Sequence, residues 1–484
     1  MKLLENKRSI YIIIVLAFIS GVVIIFLTQN SYGGADNFSH YKFAHWGWQY
    51  PELLFNHWGK PLFTILMSPF AQFGIVGARV YNLFVGFSTA LIVWKLAIYF
   101  NFKNNAISLI LVLFTPIYFI LMFTTLTEVT FSFFLALSVL LFFKNKLIFS
   151  AIVASLLPLV RTEGIVLLPL FTIAYGLKRQ FIAIPMLTAG FWIISLLGLP
   201  YYDDFWWLIT KMPYSGNAKD IYGSGSLFSF INNTRGILGY PIGVLSVIGL
   251  LTSLIHWAKQ DEYSFSDTFY FLLLIPGSYI AFLSAHSFVW WQGMGNSLGL
   301  IRVMASVTPM AALTALAGLL WLTTWLKSKN NLASIIFTTC LLGWIVILGI
   351  NTHIGGFKKS RPEKLIAQAA HYLKDNNLIK HKIHYFDPYL ISELGIDPFD
   401  KTLSAEGIAN RKQPSLSLSD SSIIVWDAHL GTNQGKIPLS VLISSEDLVL
   451  LKEFNPIPPF KVLGGYDYAV CIFQKRSNNF DILK

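Results

Sequence analysis

Through residue 350 the chain alternates long apolar runs with short polar turns; beyond it the pattern becomes mixed. Reading each long run as a bilayer crossing of about 17–25 residues predicts eleven helices, near 9–28, 76–99, 105–122, 128–143, 147–160, 164–177, 181–200, 236–257, 268–286, 300–325 and 332–350. Basic residues collect in alternate turns: Lys2, Lys7 and Arg8; Lys103; Lys144 and Lys146; Lys178 and Arg179; Lys259; Lys327 and Lys329. Placing all of them on the cytoplasmic side lets the spans alternate consistently, with the N-terminus inside and the tail outside. No small-residue cleavage site separates the first run from the polar loop after it, so the run reads as a retained helix and not a signal peptide.

Two runs are too short for simple crossings. Segments 147–160 and 164–177 hold about 14 residues each, against the roughly 20 a span requires, and Arg161-Thr162-Glu163 lies between them. Charge at that depth is costly and marks a functional site by default; the plainer alternative is a helix-to-helix ion pair or an outer turn. Segment 61–73 is apolar but short, and is expected to lie in the interface. The tail, 351–484, is predicted to be a separate small α/β domain on the extracytoplasmic side. Its elements are a helix from Pro362 to Asp375 and strands near 382–386, 423–426, 448–454 and 468–474. Gly464-Gly465 is a turn signal and not a phosphate cradle.

Composition sharpens this picture. The chain is 54% hydrophobic and 13% charged, where a soluble protein carries about 25% charge. The net charge of +11 does not point to nucleic acid, because residues 1–350 hold 20 Lys and Arg against 11 Asp and Glu, while 351–484 hold 16 against 14. The excess sits in the membrane turns, where it sets orientation. Cys340 and Cys471 fall in a span and in the tail, which excludes a disulfide framework or a zinc motif. No internal repeat supports a transporter built from repeated halves.

The candidate chemistry lies in the loops placed outside. Asp36 stands alone after the first span, with His40 four residues on and so on the same face of a helical turn. Asp36 reads equally well as a general base or as the cap of a helix opening at Gly34-Ala35-Asp36-Asn37. Glu128 opens the fourth span, either as a first-turn acid favoured by the helix dipole or as a second acid of a site, binding an acceptor or orienting Lys60. His57, Lys60, Arg161 and Arg302 are candidates to hold an anion, with Glu163 beside Arg161; Arg302 could instead snorkel to headgroups. Trp291 belongs with Trp46, Trp48, Trp58, Trp206, Trp207 and Trp290 in an aromatic belt, and is a candidate to contact substrate.

This inventory suits transfer of a sugar from a lipid phosphate. The phosphate leaves as an anion of low basicity and needs cations more than an acid, whereas the acceptor hydroxyl needs a base. Glycoside hydrolysis, by contrast, uses two carboxylates.

Six segments, GGADNFSHY, HWGKPLF, ARVYNLFVG, TLTEVTF, LVRTEGIVLLPL and AHSFVWWQGMGNSLGLIRV, occur in this order along the chain. In order and topology they resemble the C-type glycosyltransferases (GT-C), particularly bacterial mannosyltransferase-like members related to the protein mannosyltransferase and aminoarabinose transferase group. The resemblance implies a GT-C-like membrane domain over 1–350 and an inverting transfer of a mannose-like hexose from a polyprenyl-phosphate carrier. It implies catalytic roles for Asp36 and Glu128. Many relatives carry Asp-Glu at the first site, whereas Asn37 follows Asp36 here, which puts in doubt any role that needs paired acids. The lone acids and the monophosphate donor argue against a divalent metal, and no other cofactor is implied. Expected partners are the lipid-linked sugar, membrane lipids and a protein, lipid or glycan acceptor, in a bacterial inner membrane. The competing class is a transporter or flippase of a lipid-linked envelope intermediate.

Overall fold

The structure is a computed structural model and describes residues 7–213, 222–259, 266–295 and 297–477. Lys2 and parts of the predicted loops 201–235 and 287–299 lie outside the described residues. Contacts divide the chain into two compact units, Met1–Tyr32 with Phe43–Phe357, and Gly33–Lys42 with Lys358–Lys484. Residues 33–42, read from sequence as part of a membrane-domain loop, therefore fold with the tail.

The first unit is helical. Among the described residues seven helices are long and apolar enough to cross a membrane: Lys7–Leu27, Gly74–Tyr99, Ala183–Tyr202, Tyr240–Ala258, Asp267–Gln292, Thr308–Lys329 and Asn331–Asn351. The chain is thus an integral membrane protein. Lys7–Leu27 shows why such helices form: its 21 residues carry no helix breaker but one glycine, and at 1.5 Å per residue they reach roughly the 30 Å of a hydrocarbon core.

The other four predicted crossings are shorter or broken. Glu128–Phe143 has 16 residues. The run at 105–122 is split into Ile107–Leu113 and Pro116–Leu121. Proline has no N–H to continue the ladder and drives the residue before it out of the helical region; Thr115 is accordingly extended, at φ −63° and ψ 123°. The pair of short spans becomes Leu147–Ala154, Leu157–Val160, a 3₁₀ turn Thr162–Leu167 and Leu168–Leu177.

Close helix packing holds the unit together. Gly249 on Tyr240–Ala258 and Gly318 on Thr308–Lys329 face one another: a Cβ on Gly318 would lie 2.1 Å from the Leu245 carbonyl, and one on Gly249 2.0 Å from that of Thr314. Small residues at such a crossing let backbones approach where lipid supplies no hydrophobic drive between helices. Gly318→Val is expected to cost about 1–3 kcal/mol by overpacking, seen as a lower thermal midpoint and reduced monodisperse yield in detergent.

The second unit contains a five-stranded sheet of order β2-β1-β3-β5-β4, with β1 Ile383–Tyr385, β2 Ser404–Glu406, β3 Ile423–Asp427, β4 Leu448–Phe454 and β5 Val470–Lys475. β1 pairs in parallel with β2 and β3, while β5 runs antiparallel to β3 and β4. Helix Arg361–Asp375 is fixed by a capping box in which Glu363 N donates to Ser360 Oγ (3.3 Å) and Ser360 N to Glu363 Oε2 (2.8 Å).

Asp387 and Asp427 close the carboxyl ends of the adjacent strands β1 and β3. Asp387 Oδ1 accepts from Tyr389 N (2.9 Å), and Asp427 Oδ1 from His429 N (3.0 Å) and Leu430 N (2.8 Å). Burial, then the charge of Asp427, pushes the Asp387 carboxyl up to about 8. Burial pushes Asp427 up to about 6, against the pull of its backbone donors. A carboxyl raised on folding contributes stability that is complete below its unfolded value near 4 and is lost as pH climbs through the folded values. Asp427→Asn keeps the cap and removes the charge, so its thermal midpoint is expected to exceed wild type by about 2–8 °C near pH 8.5, by about half as much near pH 5, and to match it only below about pH 4.

Candidate functional site

Arg161 and Arg302 converge on Glu128 at the start of helix Glu128–Phe143. Asn82, buried on Gly74–Tyr99, donates through Nδ2 to the carbonyls of Thr124 (2.9 Å) and Leu126 (2.8 Å). Tyr81 OH lies 3.2 Å from Thr130 Oγ1. These bonds fix the turn that delivers Glu128, whose side chain is 1% exposed.

Glu128 Oε1 lies 2.8 Å from Arg161 Nη1 and 3.7 Å from Arg302 Nε. Arg161 also donates to Thr127 Oγ1 and to Glu163 Oε1, both at 2.9 Å. The forked guanidinium thus spans two carboxylates and a hydroxyl, which a lysine could not do. Local backbone makes this possible. Arg161 is extended (φ −150°, ψ 127°) between Leu157–Val160 and the 3₁₀ turn. Gly164 closes the turn through its N–H to Arg161 O (2.8 Å). A Cβ on Gly164 would sit 2.6 Å from the carbonyl carbon of Leu157, so a side chain there would force the break apart. The short, interrupted span read from sequence is therefore a device for presenting Arg161 and Glu163.

Lys60 adds a third cation. Its Nζ donates to Thr162 Oγ1 at 3.0 Å. Its backbone, at φ 67° and ψ 98° before Pro61, occupies a region that non-glycine residues rarely adopt. Such strain persists only where the surroundings enforce it, and it clusters at functional sites. Burial first, with the charge of Arg161, lowers Lys60 to about 8, while Glu163 opposes the shift. Lys60, Arg161 and Arg302 thus gather with Glu128 and Glu163.

Tyr32 and His286 belong to the same electrostatic neighbourhood but were not selected from sequence. Burial pushes the Tyr32 phenol up to about 12, with Arg302 and Glu128 both acting on it. His286 interacts electrostatically with Glu163 and Arg161, and its ring centroid is 4.5 Å from that of Phe282. An isolated histidine inside an apolar run was the available signal for His286; Tyr32 offered none.

The remaining candidates are His57, Trp291, Asp36 and His40. His57 donates from Nε2 to Leu208 O (2.8 Å), with its ring edge on Trp207, which stacks on Tyr202 at 4.4 Å. Burial lowers its pKa, and the nearby Lys60 charge acts in the same direction. Trp291 is 47% exposed near the end of Pro276–Gln292, as a belt residue would be. Asp36 and His40 fall in the second unit. Helix Ala35–Trp46 begins one residue before Asp36, which puts the acid in the first turn and not at the cap. Among the described residues no group of three or more His, Cys, Asp or Glu is placed to hold a metal ion.

No protein-family model matches the chain, and no curated protein matches it. Among solved structures it is similar to arabinofuranosyltransferase AftD from Mycobacteria, determined by single-particle cryo-EM, at 14% identity and a TM-score of 0.42. That alignment covers 86% of this chain and 35% of the mycobacterial one, so the chain spans about a third of that protein's length.

Proposed function

We propose that this protein is a membrane-embedded glycosyltransferase of the C type, moving a hexose from a polyprenyl-phosphate carrier to an acceptor hydroxyl at the extracytoplasmic face of a bacterial inner membrane. The observation that carries the proposal is the cluster itself: Lys60, Arg161 and Arg302 gathered at Glu128 and Glu163 at the broken ends of apolar helices. In the proposed step the bond from the anomeric carbon to the phosphate oxygen breaks, and its electron pair stays on the lipid phosphate. Lys60, Arg161 and Arg302 stabilise that charge in a site of low dielectric. Glu128 and Glu163 keep the guanidinium groups aimed, so little reorganisation is needed as charge develops. The acceptor oxygen attacks the anomeric carbon from the opposite side, inverting it, while its proton passes to a carboxylate.

Asp36 is the proposed base, on its residue type and its place in the GGADN segment. A mannose-like sugar is the proposed cargo, on the resemblance of the six segments. The test is to incubate proteoliposomes of the purified protein with a panel of undecaprenyl-phosphate sugars and candidate acceptors, and to analyse the products by mass spectrometry. Acceptor glycosylation with release of undecaprenyl phosphate is expected. Carrier binding or movement across the bilayer without any new glycosidic bond would replace this reading with that of a flippase.

A further inference from the structure

Residues 33–42 belong to the same compact unit as the C-terminal sheet, and the contacts that hold them there are specific. Phe38, 6% exposed, packs on Tyr389 with ring centroids 4.7 Å apart. Lys42 Nζ lies 2.6 Å from Glu406 Oε2 and 5.7 Å from the centre of the Phe399 ring, with the lysine side chain 8% exposed. Phe38 and Lys42 are four residues apart and form one stripe of the helix. Asp36 and His40 form a second stripe, two residues and therefore about 200° away.

Both anchors stand on rigid elements. Glu406 ends β2, paired in parallel with β1 at Tyr385. Tyr389 is held by its hydroxyl to Glu393 Oε2 (2.7 Å), and Lys359 Nζ lies 5.4 Å from the centre of its ring. Helix Ala35–Trp46 has 12 residues, about the length at which an isolated helix is marginal. Its first turns therefore depend on this docking.

We propose that the C-terminal domain is a positioning clamp for Asp36, in which Glu406 acting through Lys42, and Tyr389 acting through Phe38, fix the helix that carries the acid. The proposal rests on reading Asp36 as the base. It gives the domain a part in the chemistry in addition to any part in presenting an acceptor. Lys42 and Glu406 are positioning residues and touch no reacting atom.

The full-length protein in proteoliposomes is compared as wild type, Glu406→Gln, Lys42→Met, the exchanged pair K42E/E406K, and Asp36→Asn. Hydrogen exchange over residues 36–42 reads the clamp, and turnover of undecaprenyl-phosphate mannose reads catalysis. Each single clamp variant is expected to exchange about tenfold faster over 36–42 and to lose about tenfold in kcat, as a misplaced catalytic group does. The donor KM should move less than about twofold, and the exchanged pair should recover most of both losses. Unchanged exchange overturns the proposal whatever the donor. Faster exchange with kcat at the wild-type level overturns it too. An inactive Asp36→Asn beside a fully active Glu406→Gln removes the clamp and leaves the base in place. A fully active Asp36→Asn removes the base, and the clamp proposal with it.

Discussion

Arg161→Met is expected to reduce sugar transfer by about 10²–10³-fold, the usual cost of deleting one preorganised donor to developing negative charge. The effect is large because one side chain serves several partners: Glu128, Glu163 and Thr127 all lie within 2.9 Å of its guanidinium nitrogens. The same deletion removes the nearest cation from Glu128, whose side chain is 1% exposed. Breaking a buried pair by removing one partner costs about 3–5 kcal/mol, so instability could imitate a catalytic loss. Two companion variants separate these effects. Arg161→Lys keeps the charge and the fold but cannot span both carboxylates; it is expected to stay monodisperse while losing at least about tenfold in kcat. Arg161→Met with Glu128→Gln no longer leaves the buried carboxylate at 128 without its nearest cation, and should regain folded yield without regaining turnover. Full activity in that folded double variant would show that the cluster has only a structural role.

Asp36→Asn is expected to lower kcat by about 10²–10⁴-fold, the range for loss of a general base, while donor binding is retained. The substitution is nearly isosteric and leaves the helix start at Ala35 undisturbed. The informative pair of measurements is binding of undecaprenyl-phosphate mannose against its rate of consumption. Tight binding with stalled transfer fits a base, and near-normal transfer ends that assignment.

Much of the architecture was readable because bilayer crossing imposes a length and a hydropathy that survive in the residues themselves. The short runs around Arg161-Thr162-Glu163 announced a break, and the break is there, with Arg161 extended between helical pieces. In the tail, Leu448–Phe454 reads as a strand from its apolar, β-favouring run, whereas β2 (Ser404–Glu406) does not, since Ser-Ala-Glu has neither β-branched residues nor alternation and is specified by its neighbour β1. The pattern also carried one predicted span straight through Pro116, where the structure splits it into two short helices, and another through Pro276, before which the long span Asp267–Gln292 is broken at Ile275. Hydropathy averaged over a span hides a single residue lacking an N–H. The neighbours of Glu128 were named from sequence only as candidates. Bringing residues 60, 128, 161 and 302 together is a property of tertiary packing, and no local periodicity encodes it. For the same reason the membership of residues 33–42 in the second unit was invisible: a short polar helix gives no sign of which distant surface it covers.

That membership has a consequence for biosynthesis. Lys42 and its partner Glu406 are separated by 364 positions, so the first part of this unit leaves the ribosome long before the last. A contact of such high sequence separation forms slowly and late. Until the sheet is complete, Phe38 and Lys42 lack the surface they cover in the finished protein, and a transit chaperone or the translocation machinery has something to shield. It also means that a fragment expressed from Lys358 onward lacks ten of the residues its unit is built around, leaving the footprint on Tyr389, Phe399 and Glu406 bare.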